Sequence, residues 1–388
     1  MWVEADPASR DNAVGLSFED EIVANRSRRR FLRTLPAAGL LAWSGHAQEP
    51  TRGGAASDSG AEFLTAETQT AIDQGLAFLA SKQSRDGGFL DRFASPSVGI
   101  TAIAGLAFMG AGHQPGRGRY GRQVARIVDF LLASGKNTNG YLVGPDAFGG
   151  RFQGGQAGMY NHGFGTLCLA EVCGMIPDPA RQKQVREMLE KAIAYTVSAQ
   201  NRDGGWRYDP NPPVADVSVT VAQMMALRAA KNAGLYVRKN VIDQGVKFIR
   251  GCQMPDGGFS YFKGQGYSAF ARSAAALVGL YSAGIYQGDD IANGLRYLEQ
   301  FRPGVGMVNT VPAQHYFYGH YYAALAMWTA GREPWSRWLP AIRDELLMKS
   351  RGRPVGVWTD ESQVPTYATA MALIILQLPN NYLPILQK

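Results

Sequence analysis

Cysteine is scarce in this chain, and the spacing of the few cysteines excludes the usual cysteine-based sites. There are three in 388 residues. Cys168 and Cys173 fall on one predicted helix at a spacing that points their side chains apart, so a disulfide between them is not expected. No pair of cysteines or histidines has the spacing of a structural zinc site. We therefore predict no bound metal and no cofactor, and we interpret the cysteines as small buried apolar residues.

Long apolar runs are also missing. No stretch reaches the roughly eighteen apolar residues that a membrane-spanning helix needs. Charged residues make up 18 % of the chain and hydrophobic residues 46 %, a composition that favours a large folded core over disorder. The formal net charge is +7, but the basic residues do not alternate with aromatic residues as they do on a surface that stacks nucleic-acid bases. We therefore predict no nucleic-acid partner.

The densest basic cluster comprises Arg117, Arg119, Arg122 and Arg126. Such a cluster is typical of a solvated turn and the outer face of a helix. Contact with an acidic surface, such as the lipid headgroups of a membrane, is the alternative interpretation.

The amino terminus has the features of an export signal. Ser27–Arg33 reads Ser-Arg-Arg-Arg-Phe-Leu-Arg and resembles the twin-arginine motif. A short apolar run, Leu35–Trp43, follows, and Gly45-His46-Ala47 offers small residues for signal cleavage. We predict a leader over residues 1–47, a flexible linker over 48–65, and a periplasmic or secreted protein.

One local pattern is repeated along the rest of the chain. A predicted helix ends at a glutamine. Two further residues and then Asp-Gly-Gly-aromatic follow, at Gln83–Phe89, Gln200–Trp206 and Gln253–Phe259. Because glycine adopts backbone angles that other residues avoid, each Gly-Gly pair is expected to end the helix and turn the chain. We predict structural roles for Gln83, Gly88, Gln200, Trp206, Gln253 and Phe259.

Weaker copies of the pattern, near Gly140, Gly306 and Gly356, raise the number of units to six. Each unit, of roughly fifty residues, holds a half-polar helix and then a helix that is apolar nearly all round. A helix without a polar face is buried. We therefore predict an all-α fold over residues 66–388, a ring of six helical hairpins whose inner helices begin near residues 97, 161, 216, 267, 318 and 366.

The repeat resembles the QW repeat of squalene and oxidosqualene cyclases and of protein prenyltransferase β subunits. Segments such as Met159–Gly165, Phe317–Tyr322 and Ala370–Pro384 are similar to exported bacterial proteins of the prenyltransferase and squalene oxidase repeat type. The resemblance covers residues 66–388 and implies an (α/α)6 toroid of the terpenoid cyclase/protein prenyltransferase kind. It does not imply one reaction, because one fold can carry many functions.

The catalytic motifs of these families are incomplete here. The resemblance aligns Asp216–Thr220 with the Asp-x-Asp-Asp-Thr motif of class II terpene cyclases, and Ser218 then replaces the acid that protonates the substrate. The zinc-binding Asp-x-Cys of prenyltransferases has no counterpart in Tyr267–Ala269, although His320 matches the zinc-binding histidine. We therefore expect neither squalene cyclisation nor zinc-dependent protein prenylation.

The polar residues at the starts of the inner helices are the candidate site, because helix N-termini favour anions. We predict catalytic roles for His162, Asp216 and His320. Each has a structural alternative: His162 and His320 can be packed imidazoles, and Asp216 can be a helix cap. We predict ligand contacts from Tyr160, Asn161, Ser218, Tyr267, Arg272, Tyr318 and Tyr367.

Glu171 stands out among apolar neighbours on a predicted inner helix. A buried carboxylate needs a partner, for which an arginine or an amide is expected. Three functions remain open: a protein that binds and transforms an isoprenoid or other apolar ligand, a non-catalytic binding or scaffold module, and an (α/α)6 polysaccharide lyase or hydrolase. Whether the chain is an enzyme stays open.

Overall fold

The computed structural model describes residues 63–143, 158–304, 315–350, 356–359 and 364–386, all within the unit formed by residues 57–388. These residues form twelve α-helices and one short antiparallel pair of strands, β1 (Phe89–Leu90) and β2 (Pro96–Ser97). The prediction of an all-α fold is confirmed. The predicted leader and most of the predicted linker lie outside the described residues. Within the described residues, no helix is long and apolar enough to cross a membrane.

The helices alternate between an outer and an inner layer. The outer helices are amphipathic, as a helix between core and solvent must be. They are α1 (Ala66–Lys82), α3 (Gly121–Lys136), α5 (Pro179–Ser198), α7 (Lys239–Arg250), α9 (Asp289–Glu299) and α11 (Arg332–Ser350).

The inner helices are buried along most of their length, and every residue of the first is buried. They are α2 (Val98–Gly110), α4 (Gly158–Val172), α6 (Val217–Asn232), α8 (Phe270–Ser282), α10 (Tyr316–Ala330) and α12 (Pro365–Gln377). Each packs against the next, and α12 packs against α2, so the inner layer closes into a ring. The predicted toroid of six hairpins is confirmed, and the observed helix starts lie within three residues of the predicted ones.

The glutamine of the repeat connects consecutive units. The side-chain amide of Gln83 donates to the carbonyl oxygens of Gly87 and Gln123, both at 3.0 Å. Gly87 is in the same turn, whereas Gln123 is in the first turn of the next outer helix. Gln200 bonds Gly204 and Val241 in the same way, and Gln253 bonds Gly257 and Asp290.

The first glycine of the repeat is required because consecutive units approach each other closely at this turn. Gly204 has a φ of +90°, and a Cβ there would lie 2.5 Å from the carbonyl oxygen of Gln244 in the next outer helix. A side chain would therefore force the two units apart. Gly356 makes the corresponding contact with Ala71 and Gly75 of α1, so the sixth unit closes onto the first.

The aromatic residue of the repeat bonds to the inner helix that follows it. The backbone N–H of Trp206 donates to the hydroxyl of Thr220 at 3.0 Å, and the indole N–H donates to Thr196 O at 2.8 Å. The N–H groups of three further repeat residues also find a hydroxyl acceptor on the following inner helix; the pairs are Phe89 with Thr101, Phe259 with Ser273, and Trp358 with Thr369. The residues predicted to be structural thus lie at contacts within and between units.

Candidate functional site at the start of the inner helices

Asp216 is a buried carboxylate at the start of α6. Its Oδ1 accepts the backbone N–H of Val219 at 2.9 Å, as a helix cap does. Among the described residues, its buried Oδ2 accepts no close hydrogen bond, although the Nε of Arg207 lies 3.9 Å away and the Tyr261 hydroxyl interacts with the carboxylate. Burial raises the pKa of this carboxyl to about 6, although Val219, the Tyr261 hydroxyl and Arg207 each favour its charged form.

Hydroxyl groups from three inner helices lie near this carboxylate. Tyr160 lies on α4, Ser218 on α6 and Tyr318 on α10, and the Ser218 hydroxyl interacts with both tyrosines. Burial raises the pKa of Tyr160 and Tyr318, so both phenols stay protonated at neutral pH. We call Asp216, Tyr160, Ser218, Tyr261 and Tyr318 the Asp216 cluster.

Further aromatic residues extend the cluster outward. The hydroxyls of Tyr208 and Tyr261 are 2.7 Å apart. The guanidinium of Arg207 lies 5.2 Å from the centre of the Phe262 ring, and on the other side Tyr322 packs its ring 4.7 Å from that of Tyr318. The site therefore combines one titratable acid with π-faces and hydroxyl donors, a surface suited to an unsaturated ligand or a developing cation.

Sequence reasoning missed Arg207, Tyr208, Tyr261 and Tyr322. A signal for three of them was present, because each follows a repeat aromatic by one or two positions. Arg207 and Tyr208 follow Trp206, and Tyr261 follows Phe259. The strand-like segment after each repeat aromatic leads toward the start of an inner helix.

His162 occupies a different environment. It is fully buried, and its Nδ1 accepts the backbone N–H of Leu142 at 3.2 Å. Its Nε2 bonds the Thr196 hydroxyl at 2.9 Å and lies 3.2 Å from the Ala192 carbonyl on the outer helix α5. Burial lowers the pKa of this imidazole to about 3, despite the bond to Ala192. His162 thus supplies to Leu142 the acceptor that threonine or serine supplies in four other units.

His320 is the fifth residue of α10, just as His162 is the fifth residue of α4. Its ring packs against Phe270, Tyr316 and Trp338 at 4.5–6.2 Å between centres. Burial and then the charge of Lys349 lower its pKa to about 3. The contacts of the described residues place neither histidine against Asp216, so the structure does not assemble the three predicted catalytic residues into one group.

Of the remaining predicted ligand contacts, some form hydrogen bonds to the backbone and one lies on the surface. Asn161 accepts the backbone N–H of Gly99 at 2.9 Å, and Arg272 donates to the carbonyls of Phe259 and Tyr267. Tyr267 is 74 % exposed beneath the Arg272 guanidinium. A further candidate, Tyr367, is half-buried at the start of α12 and faces Tyr322.

Glu171 lies at the opposite end of the ring. Its carboxylate accepts the backbone N–H of Ile385 at 3.2 Å, so an amide of the C-terminal segment is one of its partners. A pocket on that side encloses about 30 Å³, room for roughly two water molecules. No group of three or more metal-binding side chains occurs among the described residues.

Comparison with solved structures places the fold among (α/α)6 toroids. An α-1,6-mannanase of Salegentibacter superposes with a TM-score of 0.58 at 7 % identity, over 80 % of this chain and 98 % of its own. The type II terpene cyclase MstE of Scytonema, bound to geranylgeranyl dihydroxybenzoate, gives a TM-score of 0.56 at 15 % identity, over 82 % and 98 %. An α-amylase of Clostridium perfringens gives 0.56 at 10 %, over 81 % and 99 %.

No family model matches the sequence, and none of the curated proteins matches it. At these identities the similarities establish the architecture that a terpene cyclase and glycosidases share, and they do not establish an activity.

Proposed function

We propose that this chain binds an apolar, isoprenoid-like ligand at the Asp216 cluster and that Asp216 is the group that exchanges a proton with it. The observation that carries the proposal is a fully buried carboxylate among tyrosine side chains, one oxygen of which accepts no close hydrogen bond from the described residues. A carboxyl with a pKa of about 6 is protonated in a useful fraction at mildly acidic pH, as a general acid must be. The similar fold of MstE, which holds a geranylgeranyl compound, supports this choice of ligand.

The tyrosines have a supporting role in this proposal. Their phenols stay protonated and can donate hydrogen bonds to a polar ligand head, and their π-faces can stabilise positive charge on an unsaturated chain. Ser218 orients Tyr160 and Tyr318 but is far too weak an acid to protonate an alkene. We therefore still expect no squalene cyclisation.

Glycoside hydrolysis is a weaker proposal. Most glycosidases place two carboxyl groups across the scissile bond, whereas Asp216 is the carboxylate that the described residues contribute to the cluster. This chain therefore shares the fold of a mannanase, but the described residues of the Asp216 cluster do not include a pair of carboxyl groups.

A scaffold module without chemistry is the second candidate, and the tight packing of the inner ring favours it. A Cβ at Gly99, Gly163 or Gly319 would approach the neighbouring inner helix to 2.7–2.8 Å. Such close approach leaves little space between the helices themselves, so a ligand would have to bind where they begin.

Ligand binding by the purified protein separates these candidates. We would titrate geranylgeranyl dihydroxybenzoate into the full chain, follow binding calorimetrically, and analyse the recovered compound for rearrangement. Asp216→Asn should remove any proton-dependent change in the ligand but keep its binding within about threefold, because the amide preserves the shape of the site.

The matched control is Asp203→Asn, which alters an exposed aspartate of the repeat. Absence of binding would favour the scaffold, and turnover of mannan would favour the hydrolase.

A further inference from the structure

The turns that follow the inner helices make up the face of the ring opposite the Asp216 cluster. These turns are residues 111–120, 173–178, 233–238 and 283–288, together with the segment 378–386 after the last inner helix. We call this surface the C-terminal face. Tyr236, Tyr286 and Tyr382 are exposed on it, by 80 %, 37 % and 49 %. Tyr382 also packs over Gly112, so the final segment reaches the first turn of the face.

Unpaired basic side chains accompany these tyrosines. Arg117, Arg119, Arg122, Lys231 and Arg238 are all exposed, and none forms an ion pair with a described residue.

The acidic residues on and beside the same turns are Asp73, the buried Glu171, Asp178, Asp289 and Asp290, of which Glu171 accepts the N–H of Ile385 and Asp290 is paired with Arg250 at 2.8 Å. The C-terminal face therefore carries a positive excess. Arg126, which the sequence groups with the first three arginines, belongs elsewhere because it donates to the carbonyl of Ser84.

The pocket of about 30 Å³ described above opens on this face. Its wall is apolar, formed by Met225, Val278, Leu325, Ile385 and Leu386, and its polar lining includes Arg228, Tyr281, Ser282, Tyr286 and Thr329.

Two polar groups of this pocket lack hydrogen-bond partners among the described residues. The Tyr281 side chain is 5 % exposed, and its hydroxyl bonds to none of those residues. Arg228 is half-buried and makes no ion pair or hydrogen bond with the described residues. A guanidinium and a hydroxyl donor that line the same pocket are suited to the oxygens of a phosphate at the mouth of that pocket.

We propose that the C-terminal face docks on an anionic lipid surface and that Arg228 and Tyr281 bind the phosphate of a lipid headgroup. Tyrosine is enriched at the depth of lipid headgroups because its ring is apolar and its hydroxyl polar. Exposed basic residues add attraction to an anionic bilayer. The ends of the inner helices carry partial negative charge that opposes an anion, and Arg228 and Lys231, in the last turns of α6, offset it. This inference does not depend on the function proposed for Asp216.

Vesicle co-sedimentation of the full chain tests the surface. We expect binding to phosphatidylcholine vesicles that contain phosphatidylglycerol, weaker binding at high salt, and little binding to pure phosphatidylcholine. A basic residue near an anionic surface contributes about fivefold to binding, so Lys231→Gln with Arg238→Gln should weaken it by about 25-fold.

The matched control is Arg92→Gln with Lys263→Gln. It removes the same charge from two exposed side chains on loops that precede inner helices, and it should leave vesicle binding unchanged. Equal weakening by both pairs, or no preference for phosphatidylglycerol, would overturn the proposal. Binding to polyglutamate as tight as to vesicles would also overturn it, in favour of an acidic protein partner.

The pocket is tested with a soluble short-chain phosphatidylglycerol and with inorganic phosphate. Arg228→Gln and Tyr281→Phe should each weaken binding of the short-chain lipid by tenfold or more, at unchanged thermal stability. Asp216→Asn should bind it like the unaltered protein. Equal affinity for inorganic phosphate would show a phosphate site and refute the lipid assignment, and unaltered lipid binding by both pocket variants would refute the site.

Discussion

The third and second units of the ring solve the same hydrogen-bonding problem with different side chains. In the third unit, the N–H of Trp206 donates to the hydroxyl of Thr220. In the second unit, the N–H of Leu142 donates to the imidazole of His162, which also reaches the outer helix. The first arrangement uses a hydroxyl that does not ionise, whereas the second uses an imidazole whose pKa burial lowers to about 3. Histidine in this fold can therefore be a structural acceptor, and its type alone does not mark a catalytic site.

Removing the largest side chain of the hydroxyl-type unit should have the greatest effect. Trp206 is fully buried and its indole is hydrogen-bonded, so Trp206→Ala should lower the free energy of unfolding by about 3–5 kcal/mol. Chemical denaturation measures the loss. Trp358→Ala, at the equivalent position of the sixth unit, is the matched comparison and should give a similar value. Clearly different losses in the two variants would show that the two units are not equivalent.

Truncation of His162 should cause the second-largest loss of stability. His162→Ala leaves the Leu142 N–H and the Thr196 hydroxyl without a partner and opens a cavity, which together cost about 3 kcal/mol. Ligand binding measured at equal folded fraction should be unchanged, because the contacts of His162 lie between helices. A stable variant that has lost ligand binding would instead restore a role for His162 in the site.

The difference between the two kinds of unit should also appear as acid sensitivity. The folded pKa values of His162 and His320, each about 3, lie below the ordinary value of 6.5. The unfolded chain therefore takes up protons first as pH falls, and stability is lost below about pH 6.5. At pH 5 the loss is about 2 kcal/mol for each histidine.

Asp216 has the opposite effect on the pH dependence of stability. Its folded pKa of about 6 lies above its ordinary value, so the folded state gains stability as pH falls through 6, by about 1 kcal/mol at pH 5. Denaturation at pH 8 and pH 5 should show a net loss in the unaltered protein, a larger loss in Asp216→Asn and a smaller one in a stable His162→Gln variant. A pH-independent stability would contradict the burial of both histidines.

Removing only the acceptor hydroxyl should have the smallest effect on the free energy of unfolding. Thr220→Val keeps the shape of the side chain but leaves the Trp206 N–H unsatisfied, at a cost of about 1–2 kcal/mol. Thr369→Val should cost about the same, since Thr369 bonds Trp358 at 3.1 Å. A null effect at both sites would mean that another acceptor replaces the hydroxyl.

The fold was predictable because each unit carries its own local signals. A glycine at positive φ, an aromatic residue and an apolar helix recur at fixed spacing, and these locate the inner helices to within three residues. The Asp216 cluster was predictable only in part. Tyr160, Asp216, Ser218 and Tyr318 start inner helices, but Tyr261 approaches Asp216 from the next unit, a contact that only the packing of adjacent units produces. The partners of His162 could not be predicted for the same reason, since they lie on two separate segments, the loop at Leu142 and the outer helix α5.

The contact of Gly356 with α1 has a consequence for the order of the chain. An open helical array has two end repeats, each with one uncovered side, and needs special capping units. Here the last repeat covers the first, so every unit has two neighbours and the position of the termini is arbitrary in energetic terms. Joining residue 386 to residue 66 through a linker and opening the chain within the turn 233–238 should give the same ring from a permuted gene.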